Sequence, residues 1–230
     1  MKRREMNILE KIELDIPEDI GRDFLTKLMG GRLNPKFEQL LFEKREICVK
    51  DISPKAIFKD YEIEKIGGDS VYFKSGNIFN GPNISKILKG SKIAIIFICT
   101  LGITTDQVIA AISASGDTLA TIIMDSITTE LLGVLGEHVS KIIKKEGLKE
   151  TGWASTCQYS PGQYKWTIEE QKEIFEMVNG EKIGVLLNKS YLMVPFKSIS
   201  GVYGFGPEDE IDKTRVACDL CPRENCIGRR

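Results

Sequence analysis

The densest chemistry in the chain is a run of thiols, Cys218-Asp-Leu-Cys221-Pro-Arg-Glu-Asn-Cys226. A gap of two residues lets two sulfurs reach one ion, and a third cysteine a few residues on can join them. Three thiolates are one short of a closed zinc site. Cys157, Cys48, an outside ligand or nothing would complete it. An iron–sulfur cluster, which also needs several close thiolates, contends equally. The plain alternative is a tail with three idle thiols. Arg229 and Arg230 follow and give the tail a small cationic end.

A second candidate is "CQYSPGQYKW", Cys157 to Trp166. Proline fixes φ and glycine allows backbone to come close, so Pro161-Gly162 predicts a sharp corner. Tyr159, Tyr164 and Trp166 surround it. A ligand with a flat base and a zwitterionic tail could pack on such rings. The other reading is a corner with its rings in the core, and physics alone favours it. Glu130 lies three residues after Ile127 and four before Val134, at the edge of a helical apolar stripe. It is a flank residue or an acceptor for a cationic ligand, and sequence alone favours the flank residue. His138 falls on the stripe and reads as a core or partly buried histidine.

Other chemistries lack their parts. No Ser/His/Asp or Cys/His set has recognisable spacing. Gly201, Gly204 and Gly206 lack the lysine and helix of a phosphate loop. Glu169-Glu170 sits in the first turn of a helix, where the dipole accounts for it. These absences argue against a standard hydrolase or kinase.

The elements that must position these residues follow from periodicity. "IAIIFIC" (Ile93 to Cys99) predicts a buried strand, too short to cross a bilayer. The longest helix is expected from Asp117 to Glu146, with Leu119, Ile123, Ile127, Leu131, Val134, Leu135 and Ile142 in one stripe and Gly147 as its stop. Thr104 or Thr105 caps the helix before it. Thr167 and Glu170 have capping-box spacing for the helix after the corner. Asn34 and Pro35 open another helix, ended by Ser53-Pro54. A short strand is expected over Ile8 to Ile16. Gly67-Gly68 suits a hairpin. "KIGVLL", "YLMV" and "SISGVYGFG" read as strands.

The 230 residues are 42% hydrophobic and 28% charged, enough for a real core. A net charge of -1 argues against a nucleic-acid partner. Lys2, Arg3 and Arg4 precede no apolar run, so no signal peptide is expected, and the protein is expected in the cytoplasm with its six cysteines reduced. Helices and strands alternate without a βαβ rhythm. That predicts an α+β fold, a mostly antiparallel twisted sheet with packed helices. Residues 1–58 read as a helical N-terminal part, 59–207 as the α+β core and 208–230 as the cysteine-containing tail.

The span from "CQYSPGQYKWTIEEQKEIFEMV" through "KIGVLLNKSYLMVPFKSISGVYGFG" resembles the C-terminal activation domain of cobalamin-dependent methionine synthase. That family carries a Ser-Pro-Gly or Ala-Pro-Gly turn, then a helix, then a Leu-Thr-x-Ser-x-x-Met-x-Pro-x-x-Ser-Val-Ser-Gly-like segment. Here the second motif reads Leu187, Met193, Pro195, Ser198, Ile199, Ser200, Gly201 and Tyr203. The resemblance implies a module that binds S-adenosylmethionine and docks over a cobalamin protein, such as a split methionine synthase. There it restores methylcobalamin with one electron from a flavodoxin-like or iron–sulfur reductase. Glu130, Gln158, Tyr159, Ser160, Pro161, Gly162 and Tyr164 would line the site. The family turn begins with Arg where Gln158 stands. A lost charge-assisted bond to the ligand carboxylate is worth roughly 1.5–3 kcal/mol. Beyond Gly206 the cysteine tail replaces the family's aromatic ligand contact. The alternative is a non-enzymatic docking reactivator for a corrinoid methyltransferase system, with a metal or cluster on the tail and no S-adenosylmethionine site. No membrane and no nucleic acid enter either reading.

Overall fold

The computed structural model describes residues 6–50, 52–149 and 152–226. Lys2, Arg3, Arg4, Arg229 and Arg230 lie outside the described residues. In chain order the elements are β1 (Asn7–Leu9), α1 (Arg22–Leu28), α2 (Pro35–Lys50), β2 (Lys55–Gly67), β3 (Ser70–Phe73), β4 (Ile78–Asn80), α3 (Pro82–Ile87), β5 (Ile93–Thr100), α4 (Ile103–Ala114), α5 (Thr118–Gly147), β6 (Trp153–Ser155), α6 (Gln171–Met177), β7 (Leu186–Leu187), β8 (Met193–Val194) and β9 (Ser198–Pro207).

The expected buried strand, β5, is the spine of the molecule. It pairs with β2 on one side and β9 on the other, and every residue from Ile93 to Thr100 is buried. A strand sends alternate side chains to opposite faces. Ile93, Ile95, Phe97 and Cys99 enter one core, with Ile123, Ile127, Leu131, Leu135, Val139 and Ile143 of α5. Ala94, Ile96 and Ile98 enter a second, with Tyr159, Trp166, Ile174 and Met177. A sheet covered on both faces explains why this strand is a continuous apolar run.

Among the described residues the main sheet runs β4-β3-β2-β5-β9-β6, with β1 added to β2, and every pairing is antiparallel. Helices α1, α2 and α4 pack on α5 over one face, while α6 meets β5 and β9 on the other. The fold is therefore the α+β, antiparallel arrangement that the sequence predicts. α5 is long and apolar enough to cross a membrane by length and composition alone. Its stripe is buried in the core.

Several local expectations shift. The first strand covers only Asn7–Leu9. α4 starts behind Gly102 with no side-chain cap, and the Thr105 hydroxyl is buried without a partner. α5 is capped by Asp117, which accepts from Ala120 N at 3.0 Å. Its buried stripe follows the i, i+4 row Leu131, Leu135, Val139 and Ile143, leaving Val134 and Ile142 half-buried; at 3.6 residues per turn such a row winds slowly around the helix. "KIGVLL" begins at the end of a 3₁₀ turn, Gly180–Ile183, and only its last two residues form a strand, β7. His138 is half-buried.

Candidate functional site

The Pro-Gly corner is held by its own backbone. Gly162 N donates to Trp166 O (2.8 Å), Trp166 N to Gln163 O (2.9 Å) and Gln163 N to Ser160 O (3.1 Å). The Gln163 side chain accepts from Ser160 N at 2.8 Å. Gly162 has φ +89°, a value that disfavours any residue with a Cβ.

The corner is also riveted to β9. Tyr159 and Val202 exchange both backbone hydrogen bonds, at 3.1 and 2.9 Å. Ser160 Oγ donates to Ser200 O (2.7 Å), and Ser200 Oγ donates to Gln171 Oε1 (2.8 Å). A Cβ at Gly201 would stand 2.8 Å from Tyr159 O and 2.9 Å from Ser160 Oγ. The Ser-Ile-Ser-Gly segment is thus the seat on which the Ser-Pro-Gly turn rests.

The rings divide. Tyr159 and Trp166 are each 1% exposed and stack on each other, 5.7 Å apart at 6°. The Tyr159 hydroxyl donates to Tyr164 O and accepts from Asn83 Nδ2 at 3.3 Å. Burial raises its pKa above the usual tyrosine value. These two rings are core, so a ligand stacked on all three is ruled out. Tyr164 is the ring that remains, 41% exposed. Glu170 does not close a capping box. Its carboxylate accepts from Asn80 N (2.8 Å) and from the Trp166 indole (3.4 Å).

Beside the turn opens a cleft of about 610 Å³. Residues 162–168 form one wall. The other holds Ala217, Cys218, Cys221, Arg223 and Cys226. The tail is seated there by Ala217 and Leu220, which pack against the core of Tyr159 and Trp166. Asp219 Oδ2 accepts from Val216 N (2.8 Å), and Cys221 N donates to Cys218 O (3.1 Å). Arg215 ties the approach by donating to Lys86 O (3.1 Å) and pairing with Asp212 (3.0 Å).

Of the residues expected around a ligand, Gly162 and Tyr164 line this cleft; Tyr159, Ser160 and Pro161 lie behind it. Gln158 is turned toward α5: its Oε1 accepts from the Tyr203 hydroxyl (3.2 Å), which also bonds Ser140 Oγ (2.8 Å). Glu130 is not brought to the turn. Its two oxygens accept from Gly21 N (2.6 Å) and Phe24 N, capping the start of α1. It sits ten residues before Ser140, about 15 Å along the helix. Lys165, Thr167, Ile168 and Arg223 were not foreseen as lining. The signal for the tail's docking was Ala217 and Leu220, an i, i+3 apolar pair inside a polar run.

The cysteines divide as well. Cys218, Cys221 and Cys226 share one wall, but among the described residues no three His, Cys, Asp or Glu side chains converge where a metal could be held. Cys48 is buried in the opposite core. Cys157 borders a different cavity of about 190 Å³ with Lys86, Lys89 and Arg215, and burial pushes its thiol up. Neither offers a fourth ligand at the cleft. Cys99 is fully buried, its thiol pushed up to about 12 by desolvation.

The family model for the activation domain of vitamin B12-dependent methionine synthase matches residues 86–212, more than half of the chain. The chain belongs to that family. The match contains the turn and its β9 seat and ends before the first tail cysteine. A solved structure, described as the MetH reactivation domain bound to AdoHcy, has the same fold: TM-score 0.63, 15% identity, covering 94% of this chain and 82% of that one.

Proposed function

We propose that this activation-domain chain serves in trans in the reductive reactivation of a cobalamin protein, binding S-adenosylmethionine in the cleft between the turn and the tail. One observation carries the reading: the Ser-Pro-Gly corner, inside the family match, forms the wall of an open cleft of ligand size. Tyr164 offers a flat face for the adenine, and the Gly162 carbonyl, which takes no part in the turn's own hydrogen bonds, offers an acceptor. Lys165 and Arg223 bring positive charge for the ligand carboxylate, the part that the inward-turned Gln158 does not serve. The bond-making belongs to the partner's cobalt and to the sulfonium methyl group; the protein's share is positioning. The electron comes from a separate reductase, flavodoxin-like or iron–sulfur.

A second reading has a specific observation behind it. Gln158 is engaged with Tyr203 and Glu130 with α1, so two expected ligand contacts are already occupied. That favours a docking reactivator without an S-adenosylmethionine site. Titration calorimetry of the full chain with S-adenosylmethionine separates the two. Saturable heat that is lost in Tyr164→Ala supports the first reading. No heat at millimolar ligand abandons it.

A further inference from the structure

We propose that Cys218 and Cys221 form a redox-active dithiol pair on the wall of the turn's cleft, one that closes to a disulfide and reopens by exchange with a small disulfide such as oxidised glutathione. The proposal goes beyond the ligand reading and does not depend on it. Both cysteines line the open cleft, and both are half-buried. A 3₁₀ turn, Ala217–Leu220, carries Cys218, and Cys221 N donates to Cys218 O at 3.1 Å. At a rise of about 2.0 Å per residue, the two Cα atoms of such a turn stand about 6 Å apart. Disulfides span Cα separations of roughly 4.4–6.8 Å. The backbone is therefore already within bridging range. The turn is also anchored: Ala217 and Leu220 pack against the core, and Asp219 Oδ2 accepts from Val216 N at 2.8 Å. Cys226 lacks that placement. It is exposed, and among the described residues no backbone hydrogen bond ties 222–226 to the turn.

The thiolate of one cysteine attacks the small disulfide and releases one half as a thiol; the second cysteine then displaces the other half. One S–S bond breaks and one forms. The pair gives up two protons and two electrons, and the co-reactant takes them up as two thiols. The bond closes a ring with only two residues between its cysteines. So short a loop gains little from restricted chain entropy. An accessible bond of that kind exchanges readily instead of bracing the fold. Lys165 and Arg223 line the same cleft, and their charge suits the carboxylates of the co-reactant. Both cysteines lie beyond residue 212, so the pair is an addition to the family's matched segment.

The experiment uses the full chain, fully reduced, in buffers of reduced and oxidised glutathione at a series of ratios. Remaining thiols are alkylated and the bridge is located by peptide mass spectrometry. Expected is a Cys218–Cys221 bond that forms in the folded chain and reopens in excess reduced glutathione. Cys226→Ser and Cys157→Ser keep the bond, while Cys218→Ser and Cys221→Ser lose it. The same titration in urea measures what spacing alone contributes. The effective concentration of the second thiol should be about tenfold or more higher in the folded chain, because the turn holds the pair together. A pair that stays reduced in excess oxidised glutathione overturns the proposal, as does a bond made to Cys226 instead. Equal effective concentrations in the folded and unfolded chain overturn the role of the turn, and with it the proposed site. Because no S-adenosylmethionine is present, failure here leaves the ligand reading standing, and the calorimetric failure above leaves this pair standing.

Discussion

The ten residues from Cys157 to Trp166 contain two regions with opposite fates. Tyr159 and Trp166 are stacked in the core and Ser160 is hydrogen-bonded to β9, while Gly162, Gln163, Tyr164 and Lys165 face solvent. The buried half has low-entropy rings whose polar atoms are satisfied by Asn83, Glu170 and backbone. The exposed half has a positive-φ glycine and a non-glycine residue, Lys165, at φ +58°. Rigid core on one side holds an unusual backbone on the other. That division teaches that a motif of this kind is not uniformly a binding motif: one part builds the seat, and the other lines the cleft.

The contrast is broken most severely from the buried side. Trp166→Ala removes a buried indole that packs on Tyr159 and Phe79. A loss of about 3–5 kcal/mol is expected in urea unfolding. Gly201→Ala comes next. Its Cβ meets Tyr159 O, Ser160 Oγ and Phe97, two of the three at under 3.0 Å. Overpacking of this kind costs about 1–3 kcal/mol, and it also displaces the turn, so ligand binding at the cleft should fall with stability. If Gly201→Ala unfolds like the parent protein, the seat does not govern the turn.

How much of this was legible depended on the range of the interaction. β5 and α5 announce themselves because a run of apolar residues or a stripe at helical spacing needs only neighbours in sequence. Pro161-Gly162 predicts its corner for the same reason. The use of Glu130 was hidden, since its partners Gly21 and Phe24 lie over a hundred residues earlier. Thr167 and Glu170 had the spacing of a capping box, yet Glu170 found better donors in Asn80 and Trp166. Tertiary donors displaced a local one. The tail's place was only half legible: the Ala217–Leu220 apolar pair shows that the tail packs on something, but not that it lies opposite Tyr164.

Glu130→Ala sharpens the comparison from outside the turn. It leaves Gly21 N and Phe24 N without their acceptor and should cost about 1–2 kcal/mol, in the range of a lost helix cap. Because the cap lies far from the cleft, the dissociation constant measured for S-adenosylmethionine should stay within about twofold, a change of less than ~0.5 kcal/mol. A large loss of ligand affinity at unchanged stability would return Glu130 to the ligand site. Thiol labelling gives a companion test at pH 8. With its thiol pushed up to about 12, Cys99 is neutral there, with only about one molecule in ten thousand as the reactive thiolate, and it is enclosed besides. Iodoacetamide should modify Cys226 in the folded protein and leave Cys99 untouched until unfolding.

The smallest effect on stability is expected where the effect on ligand binding is sharpest. Tyr164 is 41% exposed, and its ring has no stacking partner among the described rings, only Lys165 Nζ at 5.4 Å from its centroid. What the fold uses is its backbone carbonyl, which accepts from Tyr159 and Asn83. Substitution by alanine keeps that carbonyl. Unfolding free energy should therefore change by no more than about 0.5 kcal/mol. A stacked adenine loses its platform, and one stacking contact of ~1–2 kcal/mol predicts roughly a five- to thirtyfold weaker ligand. Tyr164→Phe keeps the ring and should restore binding, because the hydroxyl is not required for stacking. Were Tyr164→Ala to destabilise the fold as Trp166→Ala does, the two rings would belong to one region, and the division between seat and rim would disappear.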